Sequence, residues 1–374
     1  MTLGQSPAPP LLLHVFPSFA VGGAQVRFAA LANRYGTRWR HAVVALDGRE
    51  ACAARLAPDV PLQLVPSPYA RGEAAPQRLL AIIALLRRLR PALLVTSNWG
   101  SIEWAIASRF LRDLPHLHTE DGFGSDESAG QIPRRILARR LVLRRSSVIL
   151  PSVTLLRAAR ETWRLPEARL RYVPNGIDLR RFAPDGARAA LDAPGEGPLI
   201  GTVAALRPEK NLGRLLRAAA ILLRDGVPLR LAIVGDGPEK QPLMALAEHL
   251  GIAASVAFAG AIADPAAAYR AMDLFCLSSD TEQMPFSVLE AMATGLSVAS
   301  TDVGDVGTML AEENRPHLAA RDDAALAAAL RPLLRDPSLR TRLGAANRRR
   351  VENDYDQETM FATYAALIDG LASE

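Results

Sequence analysis

Short apolar runs alternate with longer segments of helical periodicity along the first half of the chain. Leu11–Phe16 and Ala92–Thr96 are predicted strands, while Ala24–Tyr35 and Gln77–Leu89 show the three-to-four-residue spacing of helices. This alternation predicts a parallel, doubly wound sheet, because parallel strands need a crossover connection that is usually a helix. The other predicted elements here are strands at His41–Leu46, Leu62–Val65, His116–His118 and Ser147–Pro151, and helices at Ser101–Leu111 and Thr154–Trp163.

The second half repeats this alternation. A stretch rich in Pro, Gly and Asp, Pro174–Pro198, separates the two halves and predicts a linker. We therefore expect Rossmann-like domains at residues 1–174 and 198–352, a linker at 175–197, and a helical segment within 353–374. The predicted elements are strands at Leu199–Ala204, Leu229–Val234, Val256–Ala259, Leu274–Leu277 and Val298–Ser300, and helices at Leu212–Leu223, Pro238–Leu250, Pro265–Met272, Phe286–Ala293 and Gln357–Leu371.

Composition favours a globular protein. The 374 residues are enough for two domains with separate cores, and 49% of them are hydrophobic. Cys52 and Cys276 are the only cysteines, too few for a disulfide framework, which favours a reducing, cytoplasmic setting. We expect no signal peptide, because no basic segment precedes the first apolar run, and no apolar run approaches the ~18 residues of a membrane span.

Charge is distributed unevenly. Residues 1–174 carry a net charge of +12 and the remainder −7. Pro133–Arg145 is the most basic stretch, with six arginines and no acid, which indicates an anionic membrane, a nucleic acid or a polyanionic acceptor as partner. The arginine pairs recur every five residues, a rotation of about 140° on a helix, so a merely solvated helix is the alternative. The residues expected at a membrane surface are Arg139, Arg140, Arg144 and Arg145; without an aromatic stacking platform, nucleic acid is not expected.

Two carboxylates dominate the candidate chemistry. Glu282 follows the predicted strand Leu274–Leu277, and Glu290 lies in the helix that Pro285 opens. Ligands bind at the carboxyl edge of such sheets, and a helix start offers N–H groups to an anion. Carboxylates there would accept hydrogen bonds from hydroxyls, which indicates a nucleotide sugar. By themselves, the two residues are better explained as a capping Glu and a surface Glu, so the rest of the sequence has to decide between the two interpretations.

Cations and glycines follow two other predicted strands. Arg207 and Lys210 lie between a strand and a helix, where they could neutralise a diphosphate leaving group. An ordinary polar loop is the alternative. Gly22 and Gly23 follow the first strand and would let the backbone approach a ligand closely, although a tight turn also explains them. No G-x-G-x-x-G follows a strand, so a dinucleotide fingerprint is excluded.

The Glu282–Glu290 segment resembles the E-x7-E signature of the family-4 glycosyltransferases, which have the GT-B fold. Three further blocks match that family in order and spacing: VPNGID (Val173–Asp178), GTVAALRPEKN (Gly201–Asn211) and LAIVGDG (Leu231–Gly237). Together they cover about the C-terminal half of the chain. Three positions depart from the usual Gly, Pro and Gly of the family: Gln283, Ser297 and Asp305. Because Gln283 would border the donor sugar, donor identity stays open.

The resemblance implies two Rossmann-like domains that face each other across a cleft, with the last helix returning to the first domain. It implies retaining transfer of a sugar from a nucleoside diphosphate sugar, without a metal or other cofactor, to a glycan or polyprenyl-linked acceptor in bacterial polysaccharide or glycolipid synthesis. Such an enzyme would work in the cytoplasm, including the inner face of the cytoplasmic membrane. The alternatives are a GT-B epimerase or phosphorylase, or a non-catalytic binding protein with a degenerate donor site.

The resemblance also assigns roles to individual residues. Glu290 would bind the ribose hydroxyls, Glu282 the sugar hydroxyls, and Arg207 with Lys210 the diphosphate. His118, or His116 on the same strand face, would face the donor, and we prefer His118. The remaining expected donor contacts are Gly22, Gly23, Gly201, Thr202, Phe286, Ser287 and Val288. No His/Cys cluster has metal-ligand spacing, and no D-x-D follows a strand, so a metal site is not expected.

Overall fold

A computed structural model of the protein describes residues 8–70, 72–123, 127 and 130–373. The chain divides into two compact units. Unit 1 takes in the chain up to Val173 together with the segment from Phe361 onward, and unit 2 is Pro174–Met360. Of the helices that the structure describes, none combines the length and the apolar content that crossing a bilayer requires.

Unit 1 is built on a sheet of seven parallel strands. The strands are β1 Leu11–Phe16, β2 Arg40–Ala45, β3 Leu62–Leu64, β4 Leu93–Ser97, β5 His116–Thr119, β6 Ser147–Leu150 and β7 Leu170–Tyr172. Their order in the sheet is β3-β2-β1-β4-β5-β6-β7. Strands β1 to β3 extend the sheet toward one edge and β4 to β7 toward the other, so strand order reverses between β1 and β4. The helices are α1 Gly23–Tyr35, α2 Ala75–Leu89, α3 Ile102–Ser108, α4 Pro133–Val142 and α5 Val153–Arg157, the last continuing as a π-helical turn over Ala158–Thr162.

Unit 2 is built on a sheet of six parallel strands. They are β8 Leu199–Val203, β9 Arg230–Val234, β10 Val256–Gly260, β11 Leu274–Leu277, β12 Val298–Thr301 and β13 Leu318–Ala319, in the order β10-β9-β8-β11-β12-β13. Strand order therefore reverses between β8 and β11, which is the position where open α/β sheets bind ligands. The helices are α6 Leu212–Arg224, α7 Lys240–His249, α8 Pro265–Ala271, α9 Phe286–Ala293, α10 Val306–Met309, α11 Asp323–Arg335, α12 Pro337–Asp354 and α13 Gln357–Ala372, which ends in unit 1.

The segment between the two predicted domains packs into unit 2. Ile177, Phe182 and Leu191 are each at most 5% exposed and belong to the same apolar cluster as the inner face of α9. Gly176 lies so close to Gln357 that a Cβ at this position would come within 2.6 Å of the Gln357 Cα. This stretch is therefore part of the core of unit 2.

Arg139 on α4 is completely buried. Its Nη2 lies 3.1 Å from Glu127 Oε2 and its Nε 3.2 Å from Glu120 Oε2. The prediction that Arg139 belongs to a surface patch is therefore wrong. Helical spacing could not reveal this, because both carboxylates precede α4 in the chain. Three aromatic rings flank the guanidinium, with centroids 5.1–5.4 Å away: Trp99, Phe123 and Trp163.

Candidate active site

Two loops meet at the carboxyl edge of unit 2, one after β8 and one after β11. The strands are direct neighbours, with Leu274 paired to Ile200 and Phe275 to Gly201. The loop after β8 carries Arg207 and Lys210, and the loop after β11 carries Glu282. The fold thus brings these three predicted site residues to the edge where strand order reverses.

Lys210 and Glu282 form an ion pair between the two loops. Lys210 Nζ lies 2.6 Å from Glu282 Oε1, and Ser279 Oγ donates to the same oxygen at 2.8 Å. The side chains are 25% and 10% exposed, respectively, so the pair is partly shielded from water. This geometry leaves Glu282 Oε2 and two N–H groups of the ammonium for a ligand.

A second set of polar contacts fixes these loops together. Arg214 donates to Ser278 O and to Asp280 Oδ1, both at 2.7 Å. Asn211 Nδ2 donates to Asp280 Oδ2 at 2.9 Å. The sequence did not identify Arg214 or Asp280, because nothing local in the chain links positions more than 60 residues apart. Their effect is to hold the Lys210 backbone beside the Glu282 loop.

The turn after β9 supports the loop that carries Arg207. Gly235 has φ +137° and approaches so closely that a Cβ would lie 1.8 Å from Ala204 O. Leu206 N donates to Asp236 O at 3.0 Å. Arg207 itself is 64% exposed, and its Nη1 is 4.0 Å from Glu209 Oε1. The loop is held in place, whereas the guanidinium remains available to an anion.

Glu290 lies on α9 and is hydrogen-bonded to a residue that the sequence did not identify. The Tyr269 hydroxyl donates to Glu290 Oε2 at 2.7 Å. Burial raises the pKa of Glu290 to about 7, although the Tyr269 hydrogen bond and the charge of Arg181 lower it in part. Tyr269 is buried in an apolar cluster, so sequence alone suggests only a core aromatic. The carboxyl group therefore titrates near neutral pH.

The N-terminus of α9 faces the same edge. Pro285 is the N-cap residue, and Val288 N–H donates to Pro285 O at 3.2 Å. The N–H groups of Phe286 and Ser287 have no acceptor among the residues that the structure describes. They are the N–H groups at this helix start that remain for an anion.

Gly304, which follows β12, and Asn175 of the VPNGID block hold the Glu282 loop. Gly304 has φ +56°, and a Cβ there would lie 2.3 Å from Glu282 O and 2.6 Å from Gln283 O. Asn175 Nδ2 donates to Met284 O at 3.0 Å. Both residues therefore position this loop through contacts with its backbone.

Gly201 and Thr202 lie within β8 and are buried. A Cβ at Gly201 would lie 2.0 Å from Met272 Sδ, so the Met272 side chain would have to move to admit a larger residue there. In unit 1, Gly22 is the N-cap of α1 with φ −160°, and Gly23 is not among the glycines of positive φ. A Cβ at Gly22 would meet only the flexible Gln25 side chain, at 2.8 Å. Donor contact at these four positions stays a prediction.

His118 and His116 belong to one buried hydrogen-bonded chain. His118 Nδ1 and His116 Nε2 both lie 2.8 Å from Thr96 Oγ1. His118 Nε2 is 3.4 Å from Glu120 Oε2, and His116 Nδ1 is 2.7 Å from Ser146 Oγ. The two rings lie on the same side of β5, and His118 has no exposed surface. Contact between His118 and the donor stays a prediction.

No three His, Cys, Asp or Glu side chains within the described ranges converge as a metal site would require.

The candidate site that the structure supports best is the edge of unit 2. It combines a partly shielded ion pair, a carboxyl group that titrates near neutral pH and free N–H groups at a helix start. Together these groups can bind hydroxyls and phosphate oxygens at one place.

Comparison with known proteins supports this interpretation. The profile of the family described as "Glycosyl transferases group 1" matches residues 185–350, and that of "Glycosyltransferase Family 4" matches residues 21–181. The GDP-mannose-dependent alpha-(1-6)-phosphatidylinositol monomannoside mannosyltransferase of Mycolicibacterium smegmatis is 33% identical over 219 residues. That alignment covers 55% of this chain and 57% of the relative, so it spans little more than half the length of each.

Solved structures are similar over nearly the whole chain. Sucrose-phosphate synthase (tll1590) from Thermosynechococcus elongatus has a TM-score of 0.80 at 21% identity, covering 97% of this chain and 99% of that one. Anabaena Alr3699/HepE in complex with UDP-glucose has a TM-score of 0.78 at 18% identity, covering 96% and 100%. At such identities the likeness shows the fold. The chain belongs to the group 1, family 4-like glycosyltransferases, and its two parallel-sheet units have the GT-B fold.

Proposed function

We propose that the protein transfers a sugar from a nucleoside diphosphate sugar to an acceptor, with retention of anomeric configuration, and that unit 2 binds the donor. The observation that carries this proposal is the Lys210–Glu282 pair at the edge where the sheet order reverses, together with Glu290 on α9, the helix that follows the Glu282 loop. Carboxylates can bind the hydroxyls of a sugar and a ribose, and a cation and the free N–H groups at a helix N-terminus can bind a diphosphate.

Each group has a role in this proposal. Glu290 accepts hydrogen bonds from the ribose hydroxyls, and the N–H groups of Phe286 and Ser287 bind a phosphate. Lys210 and the exposed Arg207 neutralise the diphosphate, whose charge grows as the bond to the sugar breaks. Glu282 orients the sugar through Oε2, because Lys210 and Ser279 occupy Oε1.

Retention follows from attack on the same face that the diphosphate leaves. In this step the departing phosphate oxygen accepts the proton of the acceptor hydroxyl while the new glycosidic bond forms. No side chain is then needed as general base. We propose that Arg207 and Lys210, without a metal or other cofactor, supply the positive charge that the leaving group needs.

The acceptor that we propose is a glycan or a lipid-linked glycan, such as a polyprenyl-linked one, in bacterial polysaccharide or glycolipid synthesis. The name of the Mycolicibacterium relative includes phosphatidylinositol monomannoside, which supports a lipid-linked acceptor class. That name specifies a GDP-sugar, whereas the HepE structure contains UDP-glucose. The nucleotide base of the donor is therefore one of the variables in the binding test.

Titration with UDP-, GDP- and ADP-sugars tests the proposal. One of them should bind, and Glu290→Ala should weaken that binding by about 100-fold, because two hydrogen bonds to a charged acceptor are lost. Glu248→Ala, an exposed glutamate of unit 2, is the matched control and should bind normally. The proposal fails if no nucleotide sugar is bound or turned over, or if both variants bind equally well.

Donor binding should weaken as the pH falls through 7. Only the ionised Glu290 carboxylate accepts both ribose hydroxyls. With a pKa of about 7, about a tenth of the molecules carry that ion at pH 6 and about nine-tenths at pH 8, which predicts roughly tenfold weaker binding at pH 6. Calorimetry of the nucleoside diphosphate across this range measures the change.

Two variants separate this effect from titration of the ligand. Tyr269→Phe removes the hydrogen bond that lowers the pKa of Glu290, so the midpoint should move to higher pH. Glu290→Gln should bind weakly and show only the pH dependence of the phosphates. An unchanged midpoint in Tyr269→Phe would refute the role given to that hydroxyl.

We also propose that α4 contacts the inner face of an anionic cytoplasmic membrane. Leu137 and Leu141 on α4 are 56% and 59% exposed. Arg134, on the same stripe of the helix, and Arg144, just beyond its end, are also exposed. An apolar pair between cations can insert beside anionic head groups. This stripe replaces the predicted patch that included Arg139.

Leu137→Ser with Leu141→Ser should reduce sedimentation with phosphatidylglycerol vesicles severalfold, and binding of the unmodified protein should decrease as salt screens the charges. Leu80→Ser is the control, because Leu80 is 68% exposed on α2. Equal binding of the variant and the control would remove α4 from the proposed contact.

A further inference from the structure

A cavity of about 650 Å³ opens at the amino edge of the unit 1 sheet. It lies beside the first residues of β5 and β6, at the opposite edge of the sheet from Gly22 and Gly23, which follow the end of β1. Four arginines from three connections line it: Arg109 and Arg112 after α3, Arg145 before β6, and Arg169 before β7.

The positive charge of this cavity is largely uncompensated. Among the described residues that line it, Asp113 is the one with a carboxylate. None of the four arginine side chains forms an ion pair with a residue in the described part of the chain. Burial and the nearby charge of Arg145 lower the pKa of Arg109, so the guanidinium groups repel one another. The carbonyl end of α3 offsets this only slightly.

The inner wall of the cavity is polar and adds no counter-charge. His116 is 8% exposed and forms hydrogen bonds with Ser146 Oγ and Thr96 Oγ1. Burial, then the nearby charges of His118 and Arg109, lower the pKa of His116 to about 3, so the ring is neutral. A bound ligand must therefore supply the negative charge.

We propose that this cavity binds a phosphorylated ligand, either a small soluble molecule or the phosphate-bearing head group of a lipid. Guanidinium groups bind phosphate oxygens through paired N–H donors, and the volume lies within the range of small-molecule sites. Two such groups, Arg109 and Arg145, line the same cavity. The proposal goes beyond donor binding, because all of these residues lie in unit 1.

The test uses the full chain carrying Arg207→Gln and Lys210→Met, which removes both cations that the donor site offers to a diphosphate. Inorganic diphosphate is titrated by calorimetry into this protein, with and without Arg109→Gln plus Arg145→Gln. Arg87→Gln plus Arg88→Gln removes the same charge from exposed positions of α2 and is the matched control. A parallel series measures sedimentation with phosphatidylcholine vesicles that contain phosphatidylglycerol. Thermal unfolding shows that each variant is folded.

The cavity pair should weaken diphosphate binding at least about tenfold, while the control pair binds normally. Selective loss in the diphosphate series identifies a soluble ligand, and selective loss in the vesicle series alone identifies a lipid head group. Either result supports the proposal. Absence of binding in both series, or equal loss in the cavity and control pairs, overturns it. Donor sugars are titrated separately into the protein with Lys210 intact. A negative result in the cavity test can therefore be distinguished from failure of the proposed function.

Discussion

Arg139→Leu should lower the free energy of unfolding by about 3–5 kcal/mol at pH 7. The change removes the Arg139 charge from buried Glu120 and Glu127, although Glu127 keeps its ion pair with Arg135 at 3.1 Å. Breaking a buried pair from one side costs about that much. In the intact protein, burial tends to raise the pKa of Glu127. The hydrogen bonds from Arg139 and from the Ile132 N–H outweigh that effect, so the pKa lies below its usual range.

Urea denaturation at pH 7 and near pH 4 measures the loss in free energy of unfolding and shows whether the buried carboxylates cause it. A carboxyl group with a depressed pKa stabilises the fold above its unfolded pKa, and this contribution decreases as the pH falls. The difference between Arg139→Leu and the unmodified protein should therefore shrink at the lower pH. Arg140→Leu, at a partly exposed neighbour, should cost less than about 1 kcal/mol. Equal costs for the two variants would contradict the structural role of Arg139.

Lys210→Met should reduce turnover by about 100- to 1,000-fold, once the donor has been identified. An ammonium group placed against the leaving diphosphate contributes most when charge develops there, so the rate should fall more than donor affinity. Single-turnover kinetics and calorimetry of the nucleoside diphosphate separate these quantities. In the Lys210→Met variant, Glu282 Oε1 keeps its hydrogen bond from Ser279. Adding Glu282→Gln to that variant would test the contribution of this remaining contact.

Lys240 provides the control, because it is the only other lysine of the chain. Its Nζ is 3.8 Å from Asp236 Oδ2 and it is 32% exposed, so Lys240→Met removes the same charge without touching the Glu282 loop. Turnover of this variant should stay within about twofold of normal. A similar loss in both lysine variants would indicate a general charge effect and argue against a specific role of Lys210.

Most elements with strong apolar patterns could be predicted from the sequence, although α11 was missed. Leu11–Phe16, Leu274–Leu277 and Phe286–Ala293 have the bounds that their patterns predict. The edge strands β7 and β13 were not predicted, because they have three and two residues, too few for a periodic pattern. α12 was not predicted because polar residues dominate its sequence.

The candidate site could be predicted only in part. Glu282 and Lys210 belong to recognisable motifs, and parallel pairing of neighbouring strands brings them together. Tyr269 has no such signal, because its hydroxyl reaches Glu290 only after α8 and α9 have packed together. Arg139 resembles a surface residue in the sequence for the same reason, since its partners are fixed by tertiary structure.

The packing of the Pro-rich segment determines how unit 2 could be produced as a separate fragment. Asn175 holds the Glu282 loop through Met284, while Ile177 N donates to Tyr355 O at 2.8 Å. A fragment that begins at Pro198 would lose both contacts and expose the core surface that Phe182 covers. A fragment that spans 174–360 would retain them. A fragment of unit 2 for crystallisation or ligand screening should therefore begin at residue 174, the first residue of the Pro-rich segment.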